Sequence, residues 1–458
     1  MMNIHFIGIG GIGMSALAGI SMSKGDKVSG SDLRPNSITD RLAREGAMIS
    51  KGHQDENLAE GTDLVVRSTC IRDDNPEILA AKRCGIPVIS RGELLNRFLS
   101  AAGMSVSVTG THGKTTTSSL VAHISSVAGS SPTFIVGGEV LSLGGNAGYG
   151  GEELVVAEVD ESDGYFRNIS TDLAVITNIE REHLEFYGTF TNLVDAYSEF
   201  ISRISRDGTL IYNGEDSVLD GIARHSGARR VSFGIEGDFD YSCKSPSWAR
   251  GIEFELFIHG ESAGKVKSLL KGRYNVMNIL GALGAVCEMG IPVEDAINAV
   301  GSFRGVKRRF ELVGKMCGVE IYEDYAHHPT EIRSVIRAAR EYASGRVIAV
   351  FQPHRYSRTK DLMDEFSTCF DDADGLVLTD IYSADEDILA DVNVYRLKET
   401  IERAGFRKGL VVVRKDEIPD VVSGMAGKGD VVLVLGAGDI REVAAHILTS
   451  LGAKSAGA

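Results

Sequence analysis

Apolar positions along this chain return to one arrangement: a short apolar run, a polar or glycine-rich break, then apolar residues at helical spacing. The first instance opens the sequence. NIHFI (3–7) predicts a strand, GIGGIG (8–13) turns the chain, and Met14, Leu17 and Ala18 recur at the three-to-four-residue spacing that lets a helix bury one face. KVSGSD (27–32) predicts a second strand, DLVVRSTCIRDDNPE (63–77) a strand running into a polar loop and a helix, and IPVIS (86–90) another strand. MSVSV (104–108), TGTHGKTTT (109–117) and SSLVAHISSV repeat the strand, turn and helix, with Leu120, Val121, Ile124 and Val127 on the helical period. ELVVAEVDESDG (153–164) and DLAVITNIEREH (172–183) are largely apolar runs ending in polar residues, the way parallel strands covered on both faces read. NVMNILGALGAVCEMGIP (275–292) predicts a helix with Val276, Ile279, Leu280, Leu283, Val286 and Cys287 on one face, Asn275 and Asn278 as caps at its start, and Gly290 and Pro292 as its stop. GVEIYEDYAHHPTEI (318–332), GRVIAVFQPHRYSR (345–358), GLVLTDIY (375–382) and DVVLVLGAGD (430–439) predict four more strands with polar ends, whereas the glycine-dense GGEVLSLGGNAGYGG (137–151) reads as a mobile loop.

Strands alternating with helices throughout imply an α/β protein with mostly parallel sheets. Three lobes follow from where the pattern restarts: a Rossmann-like lobe over 1–104, a central lobe with a phosphate loop (P-loop) over 105–312, and a further Rossmann-like α/β lobe over 313–458. A length of 458 residues suits three domains.

Composition narrows the class. Hydrophobic content of 43% and charged content of 24% are globular values. A net charge of −15 argues against a general nucleic-acid or membrane-surface binder, though local Lys/Arg clusters still allow anionic small molecules. Cys70, Cys84, Cys243, Cys287, Cys317 and Cys369 are scattered without a Cys-x-x-Cys pair, which predicts reduced, mostly buried thiols rather than a disulfide frame or zinc site. Ile4 to Ile20 has the apolar content of a signal peptide but no basic n-region, and its five glycines would make a poor inserted helix; the expectation is an unexported, cytoplasmic protein.

Candidate chemistry sits at the polar breaks. A strand, a glycine turn and a helix N-terminus form a phosphate cradle, in which Lys114 can reach a terminal phosphate and Thr115 can offer its hydroxyl to Mg²⁺. Only Thr111 and His112 separate Gly110 from Gly113, two residues fewer than the usual phosphate loop. Gly8, Gly10 and Gly13, with Asp32 about twenty residues on, have dinucleotide-fingerprint spacing and support a lobe that holds some diphosphate compound, NAD being merely the commonest. Asp73 and Asp74 fit a helix-capping turn as well as a ligand contact. Glu158, Asp160, Glu161, Asp163, Asn178 and His183 should gather at the strands' carboxyl ends, where carboxylates suit Mg²⁺ and about two of the four acids serve only solvation. Among Arg304, Lys307, Arg308 and Arg309, one arginine could clamp ATP. Tyr325, His327, His328, His354, Arg355 and Arg358 should share one rim; adjacent histidines rarely point at one ion, and arginines three apart suit a carboxylate.

Taken in order, GIGGIGMS (8–15), RDDNPE (72–77), GTHGKTT (110–116), DESD (160–163), TNIEREH (177–183), GRYNVMN (272–278), FRGVKRRFE (303–311), EDYAHHPTE (323–331), FQPHRYSR (351–358) and LGAGDI (435–440) resemble the Mur ligase family over nearly the whole chain. The resemblance implies three consecutive domains that use ATP and Mg²⁺ (Mn²⁺ as an alternative) to join L-alanine to the carboxylate of UDP-N-acetylmuramate, the first amide bond of the peptidoglycan stem peptide. It implies that Lys114, His183 and Arg309 are catalytic. Gly110, Thr111, His112, Gly113, Lys114, Thr115, Thr116, Asn275, Arg309 and Asp324 would hold ATP, with Asn275 on adenine, Arg309 on the γ-phosphate and Asp324 on the ribose. Thr115, Glu158 and His183 would hold metal. Gly8, Gly10, Gly11, Gly13, Asp32, Ser68 and Asn75 would take the UDP substrate, and Tyr325, His327, Arg355 and Arg358 the amino acid. Partners would be small molecules alone, with the chain a monomer or homodimer. Glu182, Tyr274 and Glu323 depart from the family's usual Asp, His and Asp, and no lysine between Asp172 and Cys243 could supply the carbamylated lysine of some relatives. Three rival readings are a ligase for preformed peptides, a NAD-dependent oxidoreductase and a nucleotide-gated binding protein.

Overall fold

Among the described residues three sheets organise the fold, built largely from the apolar runs named above. The computed structural model describes residues 1–248, 251–384 and 386–456. These form two compact units: Met1–Ser245, Phe254–Ser268 and Met277–Arg304 in the first, and Pro246–Glu253, Leu269–Val276 and Gly305–Ala458 in the second.

In the first unit, a five-stranded parallel sheet runs in the order Met48–Lys51, Lys27–Asp32, Asn3–Ile7, Leu64–Arg67, Val88–Ser90. Strand order reverses beside Asn3–Ile7, so the turn at Gly8–Gly13 lies at the carboxyl-end switch point where open α/β sheets bind ligands. The helix Ile12–Ser23 buries Met14, Leu17 and Ala18 as the spacing required.

A ten-stranded sheet follows in the order Glu261–Ser268, Ile252–Ile258, Tyr241–Ser247, Arg229–Gly234, Ile204–Asn213, Thr171–Ile176, Met104–Thr109, Leu154–Glu158, Thr133–Val140, Gly145–Gly148. Met104–Thr109 pairs in parallel with Thr171–Ile176 and with Leu154–Glu158, which puts the phosphate turn between the two acidic strand ends. Residues 137–151 are only partly loop: Thr133–Val140 and Gly145–Gly148 pair antiparallel around a turn at 141–144. The glycines there serve close packing. A Cβ on Gly137 would lie 2.7 Å from the Glu158 carboxylate, and one on Gly148 2.5 Å from the Phe134 ring. The five strands between 204 and 268 carry no reading above, because several alternate buried with exposed polar positions and lack the continuous apolar run of a parallel strand.

The second unit holds a six-stranded sheet ordered Glu311–Met316, Val319–Asp324, Val431–Leu435, Val347–Phe351, Gly375–Leu378, Leu410–Val412, antiparallel only at its first pair. Both faces are covered. Val347, Ala349 and Phe351 join one apolar cluster while Ile348 and Val350 join another, as side chains alternating across a strand must.

Two expectations fail on detail. The helix predicted from 275 spans Arg273–Glu288, so Asn275 and Asn278 lie inside it rather than capping it. The thiols are free but not mostly buried: Cys70, Cys84 and Cys317 are exposed, Cys287 is intermediate, and only Cys243 and Cys369 are buried.

Candidate active site

Local backbone geometry builds the phosphate turn. Gly110 and Gly113 sit at φ +128° and +84°, which L side chains rarely adopt. Space excludes anything larger as well: a Cβ on Gly110 would lie 2.1 Å from Thr177 Oγ1, and one on Gly113 2.4 Å from Asn278 Oδ1. The turn is laced to the next strand end. Thr111 N donates to Asn178 O at 2.9 Å, His112 N to Asn178 Oδ1 at 2.8 Å, Asn178 Nδ2 to His112 O at 3.0 Å, and Thr177 Oγ1 to His112 O at 2.6 Å. Asn178 therefore splints the turn, and Thr116 lies buried at the start of the helix Lys114–Val127.

Lys114 Nζ donates to both oxygens of Glu161, at 3.0 and 2.8 Å, and to the carbonyls of Gly110 at 2.6 Å and Thr111 at 3.1 Å. Burial works against its charge, but Glu161 and Asp160 outweigh burial and hold the ammonium above its ordinary value. Thr115 Oγ1 donates to Glu158 Oε1 at 3.0 Å, and Gly137 N donates to Glu158 Oε2 at 2.6 Å. Beside them Asp160, Glu161 and His183 bring three ligand atoms within 4.8 Å of one another. His183 takes φ +55° to reach this place, with Nε2 3.9 Å from Glu161 and Nδ1 3.6 Å from Glu185. Burial opposes the imidazolium, yet Glu185, Glu161 and Glu182 raise its pKa. Burial likewise opposes the Asp160 carboxylate, but Lys114, Arg91 and His183 hold it down to about 2.

None of the four acids serves only solvation: Glu158 takes Thr115, Asp160 and Asp163 take Arg91 at 3.5 and 3.2 Å, and Glu161 takes Lys114. Arg91, first residue of the helix Arg91–Ser100, went unread in the sequence. Its chain lies flush on the glycine turn of the first sheet, where a Cβ on Gly13 would be 2.9 Å from Arg91 Nη1. Arg91 thus joins the Gly8–Gly13 turn to the carboxylates around Lys114.

That first turn gathers most of the residues expected of it. Gly8 N and Ile9 N donate to Ser31 O, Gly10 N donates to Asp32 Oδ2 at 2.9 Å, and Gly11 N returns to Gly8 O. Ser68 packs 3.3 Å from where a Cβ on Gly8 would stand. Asn75, not either neighbouring acid, caps the helix Pro76–Arg83 by accepting from Glu77 N at 2.9 Å. Asp73 pairs with Arg67 and Asp74 with Arg72.

In the second unit, Asp324 accepts from Phe310 N and Ala326 N, each at 2.7 Å, and burial pushes its carboxyl up to about 6 although Arg309 opposes this. The Arg309 guanidinium lies 5.2 Å over the Tyr325 ring and 3.7 Å from Glu331. Asn275 Nδ2 donates to Lys271 O at 2.8 Å. Tyr325, His327, His354, Arg355 and Arg358 do share a rim. His327 stands edge-on to Tyr325 at 5.2 Å and 6.0 Å from His354, and Arg358 Nη1 donates to His354 O at 3.3 Å. Arg355 takes φ +72°, with its N donating to Tyr382 O at 2.8 Å. Burial, His327 and the two arginines depress His354 to about 3, so it is neutral. His328 instead caps the helix Pro329–Tyr342, its Nδ1 accepting from Thr330 N, so the adjacent histidines turn apart.

Residues 3–102 match the model described as "Mur ligase family, catalytic domain", 108–286 "Mur ligase middle domain" and 308–438 "Mur ligase, glutamate ligase domain". The chain is 41% identical to the UDP-N-acetylmuramate–L-alanine ligase of Sorangium cellulosum, covering 99% of this chain and 97% of that protein. It is 40% identical to the ligase of the same name from Geobacter sulfurreducens, covering 98% and 97%. Among solved structures, the UDP-N-acetylmuramate-alanine ligase MurC of Thermotoga maritima superposes with a TM-score of 0.83 at 29% identity, covering 99% of this chain and all of that one. A murein peptide ligase from Psychrobacter arcticus superposes with a TM-score of 0.71 at 23% identity, covering 99% of each, a likeness of fold.

Proposed function

We propose that this chain, which belongs to the Mur ligase family, is an ATP-dependent ligase that joins L-alanine to the carboxylate of UDP-N-acetylmuramate, releasing ADP and phosphate in cytoplasmic peptidoglycan precursor synthesis. The observation that carries it is end-to-end similarity to UDP-N-acetylmuramate–L-alanine ligases in a chain whose phosphate turn sets Lys114 against Glu161 and Thr115 against Glu158. No helix among the described residues is long and apolar enough to cross a membrane.

In this reading the substrate carboxylate attacks the γ-phosphorus of ATP and ADP leaves, giving an acyl phosphate. The alanine nitrogen then attacks the acyl carbon, and the tetrahedral adduct expels inorganic phosphate as the amide forms. Lys114 lies within one side chain's reach of the turn and would exchange Glu161 for the phosphate oxygens, balancing charge as the phosphoryl group moves. Arg309 would meet the γ-phosphate, Asn275 the adenine and Asp324 the ribose; Gly110, Thr111, His112, Gly113 and Thr116 would line the phosphates. Arg355 and Arg358 would grip the alanine carboxylate, with Tyr325 and His327 walling the pocket. Gly8, Gly10, Gly11, Gly13, Asp32, Ser68 and Asn75 would hold the UDP substrate.

The donor set suits a hard divalent ion. The Thr115 hydroxyl and Glu158 form one oxygen pair, and His183 with Asp160 and Glu161 forms a second group. Thr115, Glu158 and His183 are the proposed Mg²⁺ ligands, with Mn²⁺ as an alternative. Mg²⁺ bound there would neutralise phosphate charge and polarise the transferring group. Boundaries near 104 and 312 would divide the chain into a UDP-substrate, an ATP and an amino-acid domain, acting as a monomer or homodimer.

The test is phosphate release from ATP and Mg²⁺ with UDP-N-acetylmuramate, with and without L-alanine. Release that needs both, with the amide product by mass, is expected. Release with a tripeptide but not alanine would convert the reading to a peptide ligase, and nucleotide binding without release would end the enzymatic reading.

A further inference from the structure

Lys271 sits in a cage of three rings that the roles above do not use. Its Nζ lies 4.0 Å from the centroid of Tyr342, 4.8 Å from Tyr322 and 5.8 Å from Phe310, and donates to Tyr322 Oη at 2.8 Å. The rings also hold one another. Phe310 lies 4.8 Å from Tyr322, and Tyr342 stands edge-on to both at 6.1 and 5.8 Å. An ammonium among ring faces is held by the aromatic quadrupole, and shielding from water strengthens the hold. The next residue presses the same segment down: Gly272, at φ +83°, leaves only 2.8 Å between an added Cβ and the Cβ of Ala338. Both ends of residue 271 are therefore fixed, and its carbonyl is the acceptor of the Asn275 side-chain amide at 2.8 Å.

That contact decides which way the amide faces. A carbonyl oxygen can only accept, so the Asn275 nitrogen must turn toward it, and the opposite orientation would set two oxygens together. The face of an asparagine amide that reads adenine offers an oxygen to the N6 amino group and an N–H to N7; guanine presents two acceptors there and meets that oxygen with like charge. A carbonyl that pins the amide nitrogen thus selects a base. We propose that Lys271 is a positioning residue for nucleotide recognition: the aromatic cage holds its backbone, and its carbonyl orients Asn275 to prefer adenine over guanine. The proposal rests on Asn275 as the adenine contact.

The experiment uses the full chain, with affinity for ATP and for GTP measured by calorimetric titration beside KM and kcat. Lys271→Met should raise the Kd and KM for ATP about tenfold, the scale of one well-placed hydrogen bond. It should shrink the preference for ATP over GTP by a similar factor and leave kcat at saturating ATP within about twofold. Lys271→Arg keeps a cation among the rings and should restore both constants. Tyr342→Leu should give about threefold effects in the same direction, so the test survives if one variant folds poorly. Equal weakening of ATP and GTP, a fall in kcat alone, or no rescue by arginine would overturn the proposal. Asn275→Ala separates the two layers: if it leaves ATP affinity unchanged, the adenine assignment has failed; if it weakens ATP while Lys271→Met does not, the cage has.

Discussion

Lys114→Met separates what this lysine does for folding from the phosphate contact proposed for it. In the folded chain Glu161 is 1% exposed, and its charge is met by the two short contacts from Lys114. Methionine keeps most of the side-chain volume and removes the ammonium, leaving a buried carboxylate beside Asp160. Removing one partner of such a pair costs about 3–5 kcal/mol when the other stays ionised. For a cooperative unit of roughly 300 residues, an unfolding entropy of about 2.1 cal/mol/K per residue converts this to about 5–8 °C in melting temperature.

The loss should depend on pH, with a definite sign. In the native chain burial already holds the Glu161 carboxyl above its ordinary value against the opposing pull of Lys114; without that lysine, burial and Asp160 push its folded pKa further above the unfolded value of about 4.3. Between those two values the folded state binds more protons than the unfolded one, so stability falls as pH rises through the window and levels off above the folded pKa. The variant should therefore melt close to wild type near pH 5 and show its full deficit near pH 8. Adding Glu161→Gln removes the orphan charge and should recover most of the melting temperature at pH 8, while phosphate release stays depressed by at least about a hundredfold. Scanning calorimetry across pH, with phosphate release on the same samples, reads both quantities. A Lys114→Met protein that melts like wild type at pH 8, or a double variant that regains turnover, would refute the reasoning.

Gly13→Ala would push a methyl to 2.9 Å from Arg91 Nη1 and draw the guanidinium off Asp163, at a cost of about 1–3 kcal/mol; in an Arg91→Ala background the same change should cost little, a non-additivity that paired melts would detect. Asp324 has a folded pKa of about 6 against an ordinary 3.8, so it destabilises the fold as pH rises from about 4 to 6. Carboxyl NMR should titrate it near 6, and Asp324→Asn should remove that slope from the melting profile. Chelation should abolish phosphate release and Mg²⁺ restore it, with Thr115→Val and Glu158→Gln raising the Mg²⁺ needed on the order of tenfold or more.

What the sequence disclosed follows the range of the interactions that encode it. The parallel strands and the phosphate turn were legible because apolar runs, glycines and polar strand ends are local signals, and a parallel sheet necessarily gathers its carboxyl ends. The fate of each acid was not local. Nothing in DESD says that Glu161 takes Lys114 while Asp160 and Asp163 take Arg91, since Arg91 lies 72 residues before Asp163 in another sheet's helix. The strands within 137–151 read as loop because glycine density signals open turn and close packing alike, and only the neighbours, Glu158 and Phe134, decide between them. Asn275 and Asn278 looked like caps because asparagine favours helix starts, yet the helix begins at Arg273, Asn275 bonds back to the Lys271 carbonyl, and Asn278 takes a distant partner in Thr117. Thiol burial failed similarly: a cysteine's apolar character does not say which side of its element faces the core.

The departures at 323 and 274 become intelligible around Arg309. Arg308 and Phe310, which flank it, stand at φ +60° and +52°, a conformation that costs an L residue about 1–2 kcal/mol. Strain of that kind persists only where surrounding contacts over-determine it. Here they do. Arg308 Nε donates to Glu323 at 2.8 Å, its Nη2 to Gly436 O at 2.9 Å and its N to Glu311 at 2.8 Å, while Phe310 N donates to Asp324. Glu323 is thus occupied by Arg308, and the methylene it has beyond aspartate lengthens that tie instead of altering a ligand. Tyr274, whose hydroxyl is driven to a higher pKa by burial and by Asp324, remains protonated, so its ring adds bulk beside Asp324 and Arg309 without adding charge. Two strained residues held by four carboxylate and carbonyl contacts leave the Arg309 backbone little freedom. That rigidity suits the phosphate contact proposed for Arg309, because a preorganised charge stabilises a transition state without reorganising at the moment of transfer. Glu323→Ala should therefore lower kcat through Arg309 while sparing the nucleotide KM, and Glu323→Asp should fall between the two; a KM effect alone would mean that the strained bracket serves binding rather than transfer.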